Sequence, residues 1–501
     1  MSQHYLAIDF GAESGRAIVG TLRNGVIALE EVHRFANPSG VINGTLCWNL
    51  QSQFEEIKKG LRAAGAKHAR IASVGVDTWG VDFGLLANTT NASAGSRIEL
   101  LSLPACYRDS RTDGIPEHAF ALVSRHDIYK ATGIAFMQLN SLYQLLAMKK
   151  QGSVTLANAD RLLFMPDLFN FLLSGQITCE ETIASTSQMF DVSARQWAKG
   201  MLTSLGLSTS MLGTVIPAGT VIGPLRADVA AECGIERWTV VAPGTHDTAS
   251  AVAAVPAETG TNYCYLSSGT WSLMGVELDK PLISQRGFEL NFTNEIGVGG
   301  KIRFLKNIAG LWLIQECKRH FEKHGKAYSY AELMVMAAQS RPFERLINVN
   351  DPVFSRPGDM PEKIAEFCRS TSQPPPLDVA QTIRCCVDSL AMEYRRTLDQ
   401  LEELTSKRIE VIHIVGGGTQ NLLLNELTAD VCNRPVVAGP VEATALGNVL
   451  TQAIAVGDLK SLADARRVVR NSFELRHYLA RPDDRVATAY HQYLALVGDT
   501  K

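Results

Sequence analysis

An aspartate in a stretch of small and polar residues is the strongest candidate for catalysis. Asp247 follows an extended segment that ends at Pro243-Gly244, and residues 249–254 are predicted to form a short helix. Asp247 is then expected at a helix N-terminus, where free amides and the helix dipole keep a carboxylate ionised. Such a carboxylate can accept the proton of a hydroxyl group that attacks a phosphoryl group, while His246 and Thr248 hydrogen-bond the substrate. An ordinary helix-capping aspartate shows the same pattern, so both interpretations stay open.

A turn rich in glycine and serine is the first candidate phosphate site. It lies in the sequence DFGAESGR, residues 9–16, where Gly11 and Gly15 allow the backbone to approach an anion and successive amides can form a nest. The candidate contacts are Ala12, Glu13, Ser14, Gly15 and Arg16. Asp9 ends an apolar strand, where its carboxylate needs water or a cation, and Mg²⁺ held through water would satisfy it. A plain hairpin ending in an aspartate is the alternative.

A second hairpin with a similar turn lies near the middle of the chain. Residues 262–278 again have a strand, a turn of small residues around Gly269-Thr270, and a strand. The hydroxyl groups of this turn suit phosphate oxygens, although they also suit any tight hairpin. Two such hairpins, one in each half of the chain, indicate an internal duplication. Because α/β proteins commonly contain several hairpins, the repetition does not decide the matter.

Two further polar segments are candidates for a sugar pocket. The turn Asp77-Thr-Trp79-Gly80-Val-Asp82 combines two carboxylates, an indole and a glycine, and sugars require both polar acceptors and an apolar face. The run from Tyr107 to Arg111 either serves the same pocket or forms surface ion pairs.

Strands and helices must position these turns. Hydrophobic periodicity predicts mainly helices over 115–198 and a long amphipathic helix over 379–404. Its predicted buried residues are Val379, Ile383, Val387, Leu390, Tyr394, Leu398 and Leu401. A strand at 409–415, a glycine loop and a helix at 422–432 follow in the order that often binds a nucleotide. Residues 88–96 are small and polar and are predicted to form a mobile surface loop.

Size and composition limit the possible functions. A chain of 501 residues is predicted to form two domains, and its net charge of −3 gives no field for nucleic acid or an anionic membrane. The sequence has no signal peptide and no apolar segment long enough to span a membrane, which predicts a cytoplasmic protein. Its 10 cysteines include no C-x-x-C pair, and only Cys368 and Cys385 are considered as a pair under oxidation. P-loop and Rossmann motifs are absent.

Taken in order, the motifs resemble those of the FGGY carbohydrate kinases, which share the actin/Hsp70 ATPase fold. The resemblance extends over nearly the whole chain. It is carried by DFGAESGR at Asp9, VDTWGVDF at Val76, YRDSRTDG at Tyr107, THDTASAV at Thr245, YLSSGTWSLMG at Tyr265, LKNIAGLWLIQE at Leu305, IVGGGTQN at Ile414 and GPVEATALGN at Gly439.

The resemblance implies an α/β fold and assigns roles to individual residues. It implies two actin-like (ribonuclease H-like) domains, 1–243 for the sugar and 244–501 for the nucleotide, with mixed sheets flanked by helices and the active site in the cleft between them. Asp247 corresponds to the catalytic base. The implied sugar contacts are Gly80, His246, Asp247, Thr248 and Asn307, and the implied ATP contacts are Ala12 to Arg16, Thr270, Gln315 and Gly417. For Asn307 and Gln315 the resemblance is the only support, since by spacing they fit one exposed helix face.

The expected reaction is transfer of the γ-phosphoryl group of Mg-ATP to the 1-hydroxyl group of L-rhamnulose, with L-fuculose as an alternative acceptor. A non-catalytic ATP-binding sugar sensor is the alternative of another class, although a sensor has no use for a base at Asp247. The expected partners are the sugar and ATP, with no nucleic acid or membrane, in a monomer or small homo-oligomer. Glu13 departs from the family pattern, because it adds a negative charge to a phosphate turn.

Overall fold

Strands form along the short apolar stretches of the chain in the computed structural model, which describes residues 2–91 and 95–499. The strands are β1 (Gln3–Phe10), β2 (Ser14–Arg23), β3 (Val26–Ala36), β4 (Ser39–Ile42), β5 (Thr45–Trp48), β6 (Ser73–Thr78), β7 (Phe83–Asn91), β8 (Gly95–Leu100), β9 (Arg161–Phe164), β10 (Cys179–Glu180), β11 (Phe190–Asp191), β12 (Gln196–Trp197), β13 (Val215–Ile216), β14 (Thr220–Pro224), β15 (Thr239–Ala242), β16 (Tyr263–Ser268), β17 (Ser272–Leu278), β18 (Thr293–Ile296), β19 (Ile302–Ile308), β20 (Val411–Val415), β21 (Val436–Ala438) and β22 (Arg476–Tyr478).

Helices occupy the segments with amphipathic periodicity, and many begin at a capping side chain, as where Asn421 accepts a hydrogen bond from the amide of Leu424. The helices are α1 (Leu50–Lys67), α2 (Ile115–Leu122), α3 (Arg125–Thr132), α4 (Ser141–Lys150), α5 (Val154–Ala157), α6 (Met165–Ser174), α7 (Glu181–Ala184), α8 (Lys199–Ser204), α9 (Ala227–Cys233), α10 (Asp247–Ala253), α11 (Gln285–Glu289), α12 (Trp312–Lys323), α13 (Tyr330–Gln339), α14 (Met360–Ser370), α15 (Val379–Thr405), α16 (Leu422–Cys432), α17 (Ala443–Ala455), α18 (Leu462–Ser472) and α19 (Asp484–Leu496).

The chain divides into two compact units that do not correspond to two continuous halves. Unit 1 consists of Met1–Ala254, Glu277–Phe304 and Ala443–Ser472. Unit 2 consists of Val255–Val276, Leu305–Glu442 and Phe473–Lys501. The boundary predicted from sequence, between residues 243 and 244, assumes that each domain is continuous, whereas unit 1 also takes in two later segments.

The main sheet of unit 1 has six strands in the order β14-β15-β6-β1-β2-β3. At its centre β15, β6 and β1 run parallel, while β2 pairs antiparallel with β1 in the first hairpin. Helices α1, α6 and α9 contribute Ile57, Leu168 and Val229 to the apolar core that covers this sheet. Since β15, β6 and β1 are parallel, their carboxyl ends lie at one edge of the sheet.

The strands of unit 2 repeat this arrangement. Strand β16 pairs antiparallel with β17 in a hairpin and parallel with β20, which is parallel to β21 in turn. The hairpin of β1 and β2 stands in the same relation to β6. The two hairpins recognised in the sequence therefore hold equivalent places in their sheets, and this supports the predicted internal duplication.

Most of the predicted elements are confirmed, with one clear error. Helix α15 buries six of its seven predicted core residues, and only Val379 is partly exposed. The predicted mobile loop at 88–96 is wrong where the structure describes it, because residues 88–91 and 95–96 pair in the antiparallel strands β7 and β8. Residues 92–94 lie outside the described residues.

Each of the 10 cysteines is a buried free thiol, including Cys368 and Cys385. Among the described residues, no helix combines the length and apolar character that a membrane crossing requires.

Candidate active site

Three aspartates of unit 1 form a group, called here the carboxylate cluster, which consists of Asp9, Asp77 and Asp247. Asp9 and Asp77 lie opposite each other near the ends of the parallel strands β1 and β6. The segment that follows β15 continues beside β6, because the amide of Thr78 donates to the carbonyl of Thr245 at 2.9 Å. The charges of Asp9 and Asp247 both act on Asp77. Parallel strand ends thus gather the carboxylates that the sequence contributes from three distant segments.

Asp247 occupies the first turn of α10, as predicted, with His246 as the N-terminal cap residue. Its Oδ1 accepts hydrogen bonds from the backbone amide of Thr248 at 2.5 Å and from the Thr248 hydroxyl group at 3.1 Å. No group among the described residues hydrogen-bonds Oδ2. The side chain is 32% exposed. One oxygen is therefore fixed by its neighbour, and the other is available to a substrate.

A buried glutamate anchors the backbone on which His246 and Asp247 stand. Glu180 Oε2 accepts hydrogen bonds from the Thr245 hydroxyl group at 2.5 Å and from the Thr245 amide at 3.2 Å. The hydroxyl and amide groups of Thr182 donate to the same carboxylate. Burial raises the pKa of Glu180 to about 7, and the threonine hydrogen bonds oppose that rise. The Glu180 carboxylate therefore fixes the backbone at Thr245, just before α10 begins.

His246 is flanked by charged groups on both ring nitrogens. Its Nε2 lies 3.4 Å from Asp247 Oδ1, and its Nδ1 accepts a hydrogen bond from Arg303 Nη2 at 3.0 Å. The same Nη2 donates to Glu295 Oε2 at 3.0 Å. Burial raises the pKa of Glu295, but the neighbouring Arg303 charge opposes that rise, and the pKa stays below its ordinary value. Arg303 and Glu295 thus form a buried ion pair next to His246.

Asp77 is held by a chain of hydrogen bonds from α17. Asn448 Nδ2 donates to Asp77 Oδ2 at 2.6 Å, and Asn448 Oδ1 accepts from Gln452 Nε2 at 2.6 Å. Gln452 Oε1 accepts in turn from the Ser73 hydroxyl group at 2.7 Å. The pKa of Asp77 is raised well above its ordinary value by burial and by the Asp9 charge, and the Asn448 hydrogen bond opposes this.

The residues present fit a magnesium ion bound largely through water. Asp9 and Asp77 are buried, and Asp77 Oδ1 has no hydrogen-bond partner among the described residues. Across residues 2–91 and 95–499, no three His, Cys, Asp or Glu side chains are arranged to enclose a metal ion. Mg²⁺ commonly keeps several waters and takes one or two carboxylates together with substrate phosphates. The site therefore suits an ion that arrives with a nucleotide.

The predicted phosphate turn lies between β1 and β2. The Gly11 amide donates to the Ser14 carbonyl at 2.9 Å and closes the turn. Arg16 Nε lies 3.2 Å from Asp9 Oδ2. The side chain of Glu13 is 53% exposed and lies 3.9 Å from Arg108, so its charge does not enter the turn.

Packing within the sheet also requires a glycine at position 15. A Cβ atom at this position would lie 2.2 Å from the ring of Phe35 on the neighbouring strand β3. The contact of Gly15 with an anion stays a prediction.

The turn around Gly80 is the second predicted sugar-binding segment. Val81 has a φ of 70°, a rare conformation for a β-branched residue, and the Asp82 amide donates to the Gly80 carbonyl at 2.9 Å. The hydroxyl groups of Thr186 and Ser141 bond the amide and the carbonyl of Val81. The hydrogen bonds from Thr186 and Ser141 thus hold the strained turn at Val81 near the carboxylate cluster.

Asp82 itself is a structural anchor. It is buried and accepts hydrogen bonds from four donors: the indoles of Trp48 and Trp79, the amide of Tyr107 and the side-chain amide of Gln144. Burial raises the pKa of Asp82 to about 6, against the effect of these donors. The indole N–H of Trp79 donates to Asp82, and Gly80 is the one residue of the turn predicted as a sugar lip, residues 77–82, that is not buried.

In unit 2, two predicted nucleotide contacts lie near the ends of β16 and β20. Thr270 follows β16, and Gly417 begins a 3₁₀ turn after β20. A Cβ on Gly418 would lie 2.0 Å from Ser268 Oγ, whereas a Cβ on Gly417 would meet no atom within 4 Å. The glycine loop therefore packs against β16 through Gly418 and leaves Gly417 facing open space.

The other two predicted contacts of unit 2 lie on different elements. Asn307 is on β19 and Gln315 is on α12, so the alternative of a single helix face is wrong. Gln315 Oε1 is buried without a hydrogen-bond partner among the described residues. The amide of Trp312, which begins α12, donates to the Thr270 carbonyl at 3.1 Å and ties this helix to the turn after β16.

The sequence analysis missed the buried residues that hold the site residues in place through hydrogen bonds and ion pairs. They are Glu180, Glu295, Arg303, Asn448 and Gln452. The last motif, GPVEATALGN, contains Asn448, but nothing local indicates that its partner is Asp77, which lies 371 positions away. Arg303, a charged residue between the apolar Ile302 and Phe304 of β19, was the signal that the sequence offered for a buried ion pair.

Comparison with known proteins places the chain beside one family over its whole length. The model of the N-terminal domain of the FGGY family of carbohydrate kinases matches residues 4–254, and that of the C-terminal domain matches residues 264–456. The chain is 42% identical to rhamnulokinase of Bacteroides thetaiotaomicron over 97% of both chains. It is 38% identical to rhamnulokinase of Oceanobacillus iheyensis over 95% of this chain and 98% of that one. In fold it is similar to ligand-bound xylulose kinase of Lactobacillus acidophilus, with a TM-score of 0.81, 15% identity, and coverage of 99% and 97%.

Proposed function

The chain belongs to the FGGY family of carbohydrate kinases, and from this premise we propose that it transfers the γ-phosphoryl group of ATP to the 1-hydroxyl group of L-rhamnulose. The products are L-rhamnulose 1-phosphate and ADP. The choice of sugar is supported by relatives named rhamnulokinase that are 38–42% identical over nearly the full chain.

Asp247 is the general base in this proposal. Its Oδ1 is held by Thr248, and its Oδ2 is available to accept the proton of the 1-hydroxyl group. As that proton moves to the carboxylate, the sugar oxygen becomes a better nucleophile toward the γ-phosphorus. The half-engaged carboxylate at the start of α10 is the single observation that carries the mechanism.

Magnesium is the proposed cofactor, held by Asp9 through water with Asp77 beside it. When bound, the ion offsets negative charge on the phosphates. Arg16 lies next to Asp9 and contributes a second positive charge to the same turn. The backbone amides of residues 12–16 are proposed to contact phosphate oxygens.

The nucleotide is proposed to bind the contacts of unit 2. Thr270 offers a hydroxyl group, Gln315 a buried carbonyl oxygen with no hydrogen-bond partner among the described residues, and Gly417 a backbone that a ligand can approach closely. The sugar is proposed to contact Gly80, His246, Thr248 and Asn307. We place the reaction in the cytoplasm of the cell, in a monomer or small homo-oligomer, and the 10 free thiols agree with a reducing compartment.

The test is ADP release by the purified protein with Mg-ATP and a panel of ketoses, in the wild type and in Asp247→Asn. We expect L-rhamnulose to be preferred over L-fuculose and L-xylulose. Removing the base is expected to lower kcat about 10²- to 10⁴-fold. ATP binding, measured by calorimetry, should stay unchanged because Asp247 lies among the sugar contacts.

Asp228→Asn is the matched control, since Asp228 is 62% exposed in an ion pair with Arg226. Its activity should equal that of the wild type. Preference for another ketose would discard L-rhamnulose and keep the mechanism. Undiminished activity of Asp247→Asn would reject Asp247 as the base.

A further inference from the structure

We propose that Arg303 is a positioning residue that fixes His246 in the tautomer with its proton on Nε2, so that Nε2 is a permanent hydrogen-bond donor beside the catalytic carboxylate. The inference depends on the proposed function only in naming a sugar oxygen as the acceptor. The tautomer itself is a property of the free protein and can be measured without any substrate.

The argument begins with the bond between Arg303 and His246. A guanidinium group has five N–H donors, no acceptor, and stays protonated in proteins. Because Arg303 Nη2 lies 3.0 Å from His246 Nδ1, that nitrogen must offer a lone pair. In a neutral imidazole the proton then lies on Nε2. The contact with arginine thus determines which nitrogen carries hydrogen.

Arg303 is held too firmly to turn away from this bond. Its side chain is fully buried, Nη2 also donates to Glu295 Oε2 at 3.0 Å, and Nε donates to the Ile296 carbonyl at 3.3 Å. A Cβ on Gly297 would lie 3.1 Å from Cγ of Arg303, so a larger residue there would press on the arginine. Strand β18 therefore fixes the guanidinium in place through Glu295 and Ile296.

Glu295 explains why an arginine is needed at this position. Its Oε2 lies 3.4 Å from His246 Nδ1 and would accept a hydrogen bond from a protonated Nδ1 if Arg303 were absent. Nδ1 would then be the donor and Nε2 a bare acceptor facing the carboxylate of Asp247. Arg303 neutralises Glu295 and occupies Nδ1 at the same time, so both effects favour the proton on Nε2.

The consequence is a donor and an acceptor side by side in the sugar-binding part of unit 1. His246 Nε2 lies 3.4 Å from Asp247 Oδ1, and the His246 side chain is 10% exposed. A neutral N–H can donate to one sugar oxygen while Asp247 accepts the proton of another. A bare Nε2 would repel the Asp247 carboxylate and offer no donor to a sugar oxygen, so the wrong tautomer would weaken binding of the acceptor sugar.

The first test is nitrogen NMR of the wild-type protein with ¹⁵N-labelled histidine at pH 8, without ligand. The His246 signals are identified by their loss in His246→Gln. We expect Nδ1 to show the shift of an unprotonated ring nitrogen and Nε2 that of a protonated one. Protonated Nδ1 with bare Nε2, or protons on both nitrogens, would overturn the proposal. The experiment uses no substrate and no turnover, so its result is independent of whether L-rhamnulose is the substrate.

Variants test whether Arg303 is the cause. Arg303→Met removes the donor, and we expect the proton to move to Nδ1, where Glu295 accepts it. Arg303→Lys keeps the charge and one donor, so it should retain the wild-type tautomer and remains informative if Arg303→Met fails to fold. Arg226→Lys, an exposed control, should change nothing. An unchanged tautomer in a folded Arg303→Met protein would show that arginine does not set it.

Replacements of His246 connect the tautomer with activity. The amide nitrogen of glutamine falls near Nε2 of histidine, and that of asparagine falls near Nδ1. His246→Gln should therefore keep a donor for the sugar, and His246→Asn should lose about tenfold more in kcat/KM, mainly through KM. Equal losses in the two variants would contradict donation from Nε2.

Discussion

At the scale of single residues, the buried aspartates of unit 1 fall into two kinds that the sequence does not separate. Asp82 has every oxygen engaged by donors from Trp48, Trp79, Tyr107 and Gln144. Asp247 has one oxygen engaged by Thr248. Both follow short extended segments and both looked like possible ligand contacts. The number of hydrogen-bond donors around each carboxylate distinguishes the structural aspartate, Asp82, from the reactive one, Asp247. Distant segments of the chain supply those donors.

Asp82→Asn tests the anchor at this scale. In either orientation the new NH₂ group would face at least one of the four donors, and a donor would lose its partner. We expect unfolding to become easier by about 2–4 kcal/mol. Urea denaturation followed by circular dichroism measures this difference, and Asp228→Asn provides the exposed control. A loss below about 0.5 kcal/mol, the usual range of surface changes, would mean that Asp82 is not an anchor.

At the scale of elements, the position of Asp247 depends on how closely α10 packs on α17. A Cβ on Gly447 of α17 would lie 1.7 Å from the carbonyl oxygen of Ser250 on α10. Only glycine allows this approach, and it brings Asn448, the next residue, within reach of Asp77. Periodicity in the sequence predicts such helices well, as α15 and α16 show. It cannot predict which two helices touch, because their residues are about 200 positions apart in the chain.

Gly447→Ala should therefore displace Asp247, although residue 447 itself lies outside the site. Since the clash is with backbone, α10 and α17 must move apart, and we expect the free energy of unfolding to fall by about 3 kcal/mol. We also expect a lower kcat, because α10 begins at Asp247 and its movement displaces that carboxylate. Thermal denaturation and the ketose assay would measure the two effects. Gly200→Ala is the control, because a Cβ on Gly200 of α8 would meet no atom within 4 Å. Wild-type stability and activity in Gly447→Ala would refute the packing argument.

At the scale of the whole molecule, each unit repeats one plan, a hairpin whose first strand also pairs in parallel with a later strand. The eight motifs predicted the fold class through their resemblance to one family, and four of them, at Asp9, Val76, Tyr265 and Ile414, lie where strands of this plan end. They did not predict the composition of the units, since unit 1 takes in Glu277–Phe304 and Ala443–Ser472. Strand β22 was also missed, because its three residues carry no clear pattern.

The division of roles between the units can be tested by hydrogen exchange. The sugar alone should slow exchange of amides at 78–81 and 245–248 in unit 1. A non-hydrolysable ATP analogue should slow exchange at 268–271 and 416–418 in unit 2. Peptides from α19 should not change with either ligand and serve as the internal control. Protection by the sugar that is confined to segments of unit 2 would reverse the proposed assignment.

The discontinuous course of unit 1 also has a consequence for synthesis on the ribosome. Asp77 emerges early, but Asn448 and Gln452, which hold it and bond the strands β1 and β6, emerge only after more than 370 further residues. Until then one face of the first sheet lacks α17, and a nascent chain carries an incomplete unit through most of translation. A cell that makes this enzyme must therefore shield an unfinished domain, and a truncated message would yield a product lacking the helix that completes its first domain.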